Sequence, residues 1–355
     1  MRRCGDGSGM STELDNFMAT MVAAPRQVSP ERAAGLVRER YGFETSAARL
    51  SGERDENFRL STPEGTDYVL KIANPAEDAA LGALPAAALL HIESVDPGFP
   101  CPRVVRDREN NTRVCFTDQE GAKRTACLLT YLPGKLLGGS DRSARQRTAC
   151  GRIAGRLTRA LAGFGHPAAH RAVVWDVRHT SYVTRLLGQL PDLACGEEAA
   201  GLLMRIVPVI DARLPQLRAQ VVHNDINPLN VLVDPTDATR VSGVIDFGDI
   251  THTALIADVA VAAAELIPHD CRDAPEACES VREVARGYHE SMPLQAQEVA
   301  MLGTLVAARL VMNVVVHEWH VRHNRANDHH APLAADYIAT RLAIAARLPA
   351  EGLRL

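Results

Sequence analysis

Asp225, Asn230 and Asp246 are the residues whose types and spacing most directly imply chemistry. They lie in the strings HNDINPLNVLV (223–233) and VIDFGDI (244–250), the first entered from apolar Val221 and Val222, the second carrying its aspartate at the end of the apolar run Val244-Ile245. A carboxylate, an amide five residues later and a second carboxylate at a strand end suit phosphoryl transfer. That reaction needs an acceptor hydroxyl held in line and Mg²⁺ bridging the nucleotide phosphates, with little covalent help from the protein. On this reading Asp225 accepts the hydroxyl proton, and Asn230 and Asp246 offer the hard oxygen ligands that Mg²⁺ prefers. His223 is expected to fix the loop by hydrogen bonds. Pro228 stiffens the turn through its fixed φ, and Gly248 lets the chain bend away from the metal.

The elements that must position these residues are legible in outline. Ser29-Pro30-Glu31 is a helix start, and the helix is expected to run to about Tyr41. Runs at 47–51, 56–62 and 67–73, separated by the turns GERD and PEGT, read as a small antiparallel sheet, with further strands at 113–117 and 125–131. Residues 75–94 read as a helix that Pro85 splits or kinks. Beyond Leu132-Pro133-Gly134 the pattern is helical, over 143–164, 176–188, 196–218, 255–267, 275–290, 293–321 and 332–348, interrupted by a strand pair around the 223–250 motif. The expected organisation is a flexible N-terminal extension (1–28), a sheet-rich N-lobe for nucleotide (29–132) and a larger helical C-lobe with the catalytic loop and metal site (133–355), nucleotide lying in the cleft.

Lys71 is the sole lysine between residues 1 and 122 and interrupts the apolar run Val69-Leu70-Lys71-Ile72. A cation in such a strand needs a partner. A phosphate contact is the functional reading, and a lysine on a half-exposed strand edge is the structural alternative.

The bulk numbers exclude several classes. The chain has 355 residues, 46% hydrophobic and 23% charged, enough for two lobes and a sizeable core. A net charge of -4 argues against a protein that coats a nucleic acid polymer. The eight cysteines form no C-x-x-C pair, so neither a zinc ribbon nor a disulfide framework is indicated, and reduced thiols in a cytoplasmic enzyme are expected. The longest apolar stretches are broken by Asp258 and Glu265, or by Arg309, so no membrane span is expected. The alternating Gly5, Gly7 and Gly9 follow no strand and are not a dinucleotide fingerprint.

Taken together, SGERDENF (51–58), YVLKIANP (68–75), LLTYLPG (128–134), VWDVRH (174–179), HNDINPLNVLV and VIDFGDI resemble the aminoglycoside phosphotransferase-like small-molecule kinases, over about residues 30–345. ERDENF, Trp175-Asp176 and IDFGDI are most similar to the hydroxylysine kinase branch. The resemblance implies an α+β, two-lobed protein-kinase-like fold. Asp225 would be its base, Asn230 and Asp246 its Mg²⁺ ligands, and Lys71 its phosphate contact. Asn57, Thr130 and Leu132 would contribute to the nucleotide site, the last two through hinge contacts of the 129–132 segment to the purine, and His223 and Asp258 would brace the catalytic loop. It also implies ATP or GTP as co-substrate and a small hydroxylated amine or amino acid as acceptor, 5-hydroxylysine first, with homoserine, choline or ethanolamine and aminoglycosides behind it. Trp175, Asp176 and Asp249 are the candidate acceptor contacts: an aromatic face and a carboxylate would meet an ammonium group. For Trp175 and Asp176 the alternative is a core anchor and a helix cap.

Two departures from the family pattern stand out. Residues 83–92, where the acidic partner of Lys71 is expected, contain no acid, which keeps a catalytically weak regulatory pseudokinase as the second reading; and Asn224 replaces the usual glycine between His and Asp. A glycine-rich G-x-G-x-x-G loop is missing and a helix begins within about ten residues of Asp246, so peptide substrates are not expected. The cluster His317, His320, His323, His329 and His330 is one residue short of H-E-x-x-H, and a packed or solvated helix end is expected there.

Overall fold

The structure, a computed structural model, describes residues 7–22, 27–52, 54–75, 81–140, 142–324, 331–350 and 353. The chain divides into two compact units, one made of Ala19–Pro133 with His166–Ala169, the other of Met1–Met18, Gly134–Gly165 and His170–Leu355.

The first described element is helix α1 (Gly7–Val22), within the region where a flexible extension was expected. Leu14, Met18 and Met21 are buried, and Asp15 accepts hydrogen bonds from Tyr182 Oη (2.6 Å) and Arg185 Nη1 (3.0 Å). Apolar residues three or four apart give this segment a face to bury, which outweighs its glycine-rich start. Residues 1–6 and 23–26 lie outside the described residues.

In the sheet-rich unit, α2 (Pro30–Arg40) starts at Ser29, whose side chain accepts from Arg32 N, with Pro30 in the first turn. Strands β1 (Ser46–Leu50), β2 (Glu56–Ser61) and β3 (Asp67–Ile72) form the antiparallel meander expected from the sequence. Next come α3 (Ala83–Val95), β4 (Val104–Val105), β5 (Val114–Thr117) and β6 (Lys123–Thr130). The sheet order is β1-β2-β3-β6-β4, with β5 also paired to β6. Alternation decides which side chains enter the core: Phe58, Leu60, Leu70 and Ile72 are buried against Ala33, Leu36 and Val37 of α2, and Lys71 projects from the other face. Pro85 does not kink α3, because the helix begins at Ala83 and leaves the proline in its first turn, where no intrahelical N–H is needed. The expected start of that helix at 75 falls partly on residues 76–80, outside those described.

The helical unit holds β7 (Lys135–Leu136), α4 (Ala144–Ala160), α5 (Thr180–Leu187), α6 (Gly196–Arg213), β8 (Ala219–Val222), β9 (Val231–Val233), β10 (Val241–Val244), β11 (Thr251–Ala254), α7 (Leu255–Leu266), α8 (Ala274–Ser291), α9 (Ala296–His323) and α10 (Ala335–Arg347). Where a single strand pair was expected, two small sheets form: β10-β9-β7 and β11-β8. Strands β8 and β9 flank the 223–230 loop but pair with different partners, so the loop is clamped by a separate ribbon at each end. Helix α7 is buried along its length except at Glu265. Helix α9 is long and apolar enough to cross a bilayer, but 78% of its apolar window is buried, and it packs against α5, α6, α7 and α10. Helices α4 and α8 approach through glycines. A Cβ at Gly155 would lie 2.6 Å from the Tyr288 carbonyl oxygen, and one at Gly151 or Gly287 would overlap the carbonyls of Val284 and Thr148.

The histidines of α9 are absorbed locally. His317 Nε2 lies 2.9 Å from the Ala331 carbonyl, His320 Nε2 lies 3.1 Å from Asn324 Nδ2, and His323 stacks on Trp319 at 4.0 Å. Among the described residues no group of three or more His, Cys, Asp or Glu could hold a metal ion; His329 and His330 lie outside them.

Candidate active site

The loop between β8 and β9 is organised by its own side chains. Asp225 N–H donates to His223 Nδ1 at 3.3 Å, so that nitrogen is unprotonated, and the proton on Nε2 points to the Ile245 carbonyl 3.2 Å away. Asn230 O accepts from Ile245 N at 2.9 Å. These two links place Asn230 next to the residue that precedes Asp246. The His223 ring also meets Phe247 edge-on at 4.9 Å.

Asp225 receives Asn227 Nδ2 on Oδ1 (2.9 Å) and Asn230 Nδ2 on Oδ2 (2.6 Å). Asn230 Nδ2 also reaches the Asp225 carbonyl at 3.0 Å, so the amide nitrogen is committed to the loop and its oxygen is the atom left for a cation. Burial, then the negative charge of Asp249, push the Asp225 carboxyl well above the usual carboxylate range; Arg309 and the Asn227 amide pull it down. Asp249 is 6% exposed. Asp246 is exposed and holds a left-handed φ of 59°, with Oδ1 accepting from Gly248 N at 3.1 Å. Arg171 secures the following residues by donating to the carbonyls of Gly248 and Ile250. Asn230 oxygen and the Asp246 carboxylate are hard donors at one loop junction, a set that suits Mg²⁺, which keeps several ligands for phosphate and water.

Asp258, on the first turn of α7, accepts Asn224 N–H at 2.8 Å and the Thr158 hydroxyl at 3.3 Å. It is fully buried, which raises its carboxyl to about 6. Asn224 has φ 65°, the left-handed region that glycine enters without cost and asparagine tolerates. Its side chain is 0% exposed, and neither Oδ1 nor Nδ2 makes a hydrogen bond among the described residues. Asn224→Gly is therefore expected to stabilise the fold by about 1–2 kcal/mol, removing a buried unpaired amide and the Cβ at a positive φ. A denaturant melt that shows the variant less stable than the parent would count against this.

Two candidate acceptor contacts have other duties. Asp176 is fully buried and caps the short 3₁₀ turn Val177–His179: Oδ1 accepts from Arg178 N at 2.9 Å and Thr253 Oγ1 at 3.1 Å, and Oδ2 lies 3.2 Å from Arg178 Nη2. It does not present a carboxylate to an acceptor, because capping and burial have used it. Trp175 carries a cation over its ring, but that cation is Arg309, at 5.0 Å.

Arg309 (α9) is 4% exposed and was visible in the sequence only as a break in an apolar helix. Its Nε donates to Glu265 Oε1 at 3.0 Å, its Nη1 donates to the Trp175 carbonyl at 2.7 Å, and its Nη2 lies 3.8 Å from Asp225 Oδ1. Glu265 also accepts from Asn313 Nδ2 at 2.9 Å. Of the residues interrupting the two apolar helices, Asp258 accepts from the loop, and Glu265 holds Arg309, whose Nη2 stands 3.8 Å from Asp225.

In the sheet-rich unit Lys71 Nζ lies 3.8 Å from Asp55 Oδ2, an ion pair among the described residues. Asp55 comes from the turn before β2 and is held by Asn74 N on Oδ1 at 3.3 Å. Strand register places Asn57 opposite Lys71, and Asn57 Nδ2 donates to the Ser51 carbonyl at 3.3 Å. A register argument from the meander could have found this acid. Thr130, at the end of β6, accepts Arg103 N–H on its hydroxyl at 2.9 Å, and Leu132 is half-buried.

An aspartate clamped by two asparagine amides, with an amide oxygen and a second carboxylate in the same unit, suits the phosphoryl transfer of a kinase-type phosphotransferase. The profile of the phosphotransferase enzyme family (APH) matches residues 46–299, and the chain belongs to that family. A hydroxylysine kinase of Mus musculus is 26% identical over 308 residues, covering 80% of each chain. Among solved structures, the amicoumacin kinase hAmiN in complex with AMP-PNP, Ca²⁺ and Ami superposes with a TM-score of 0.67 at 15% identity, over 91% of this chain and 94% of that one. A microcompartment-associated aminopropanol kinase gives 0.64 at 21% identity, over 91% and 98%. The fold is the α+β kinase-like fold of these proteins.

Proposed function

We propose that this enzyme transfers the γ-phosphoryl group of ATP or GTP, with Mg²⁺, to a hydroxyl of a small amine or amino acid, 5-hydroxylysine being the favoured acceptor. The observation that carries the reaction is the Asp225 carboxylate, fixed by Asn227 and Asn230 with acceptor capacity remaining on its oxygens. The acceptor hydroxyl gives its proton to Asp225, its oxygen bonds to the γ-phosphorus, and the bond to the bridging oxygen breaks with its electron pair leaving on the nucleoside diphosphate. Asn230 and Asp246 would hold Mg²⁺, which supplies charge neutralisation to the phosphates. Lys71, oriented by Asp55, is the proposed phosphate cation, and Asn57, Thr130 and Leu132 complete the proposed nucleotide set.

The acceptor class is supported by the mouse hydroxylysine kinase relative and by the excess of carboxylate near Asp225, where Asp249 adds a second negative charge suited to a cationic substrate. The test is nucleotide consumption with ATP and with GTP against 5-hydroxylysine, homoserine, ethanolamine, choline, an aminoglycoside and a neutral sugar. The expected result is the highest kcat/KM for 5-hydroxylysine. Turnover confined to the neutral sugar would sink the proposal.

A further inference from the structure

We infer that Arg309 is a further catalytic residue: its Nη2 hydrogen-bonds the acceptor oxygen while Asp225 takes that oxygen's proton. The inference rests on the proposed role of Asp225. Nη2 stands 3.8 Å from Asp225 Oδ1, too far for a hydrogen bond, and among the described residues it has no hydrogen-bond partner. Two atoms at that separation leave room for one oxygen within about 2.8 Å of each. A hydroxyl there donates to the carboxylate, accepts from the guanidinium and keeps a lone pair for phosphorus.

The guanidinium is already immobilised. Glu265 holds Nε, the Trp175 carbonyl holds Nη1 and the Trp175 ring covers one face. A donor fixed in advance costs no reorganisation when charge moves, and this is the condition under which such groups contribute most to rate. The loop itself, HNDINPLN (223–230), contains no lysine or arginine, so α9 supplies the cation that stands beside the base. Arg309 stays protonated throughout. The O–H bond breaks toward Asp225, the O–P bond forms, and the leaving electron pair goes to the nucleoside diphosphate.

The experiment is steady-state kinetics and nucleotide calorimetry on the full chain with Arg309→Gln and Arg309→Lys, beside Asp225→Asn. Glutamine can still donate to the Trp175 carbonyl. Lysine keeps a charge for Glu265, but its single nitrogen cannot serve Glu265, the carbonyl and the acceptor together. Arg309→Gln is expected to lower kcat about 10²- to 10³-fold, and Arg309→Lys at least about tenfold, while nucleotide Kd stays within about threefold. Either variant folding normally with kcat within about threefold of the parent would overturn the inference. So would a kcat loss matched by an equal loss of nucleotide affinity, because that pattern marks a purely structural arginine. If Asp225→Asn is itself fully active, the proposed reaction geometry fails first; if it is inactive and both Arg309 variants are active, only the role of Arg309 fails.

Discussion

Asp225→Asn is expected to lower turnover by about 10²- to 10⁴-fold, the usual worth of a positioned general base, while nucleotide Kd moves less than about threefold. The asparagine oxygen can still receive one of the two amides that clamp Asp225, but its NH₂ then faces the other amide donor, from Asn227 or Asn230. The loop keeps its course through His223, Asp258 and the Ile245–Asn230 backbone bond, so the substitution acts on chemistry and leaves the fold in place. The measurement is kcat under saturating nucleotide and acceptor, with a thermal melt beside it. A well-folded variant retaining a third or more of parental turnover would refute the assignment.

Asp246→Asn should have the second large effect. The wild-type backbone there is left-handed at φ 59°, a conformation aspartate tolerates better than alanine, so Asp246→Ala mixes loss of a ligand with added backbone strain. Asparagine tolerates that conformation and still accepts from Gly248 N. What it loses is the anionic charge, and metal assistance worth several kcal/mol corresponds to a rate loss on the order of 10³. Nucleotide affinity measured against Mg²⁺ concentration should lose most of its metal dependence in the variant. Superimposable parent and variant titrations would place the metal elsewhere.

Much of this protein was legible in its sequence for local reasons. The meander follows from period-two alternation and polar turns. The helices after residue 133 follow from their apolar period, and α2, α4 and α8 carry cap residues at their first turns. The order Asp225, Asn230, Asp246 is itself local, because a tight loop and a strand end bring the first two together and aim the third. Helix α1 was missed because its glycine-rich start outweighed the buried residues Leu14, Met18 and Met21.

The sequence by itself determined the loop that holds Asp225 and Asn230, the strand end that carries Asp246 and the strand that carries Lys71, since each depends on neighbours within a few residues. Tertiary structure alone decided what meets them. The fold of the turn before β2 brought Asp55 to Lys71, and burial made Asp176 the cap of a 3₁₀ turn. The packing of α7 and α9 turned Glu265 and Arg309, readable only as breaks in apolar helices, into an ion pair beside Asp225. Periodicity reports that a helix face is buried. Which partner a charge on that face meets is set by packing between segments tens of residues apart in the chain, and desolvation then requires that the charge find one.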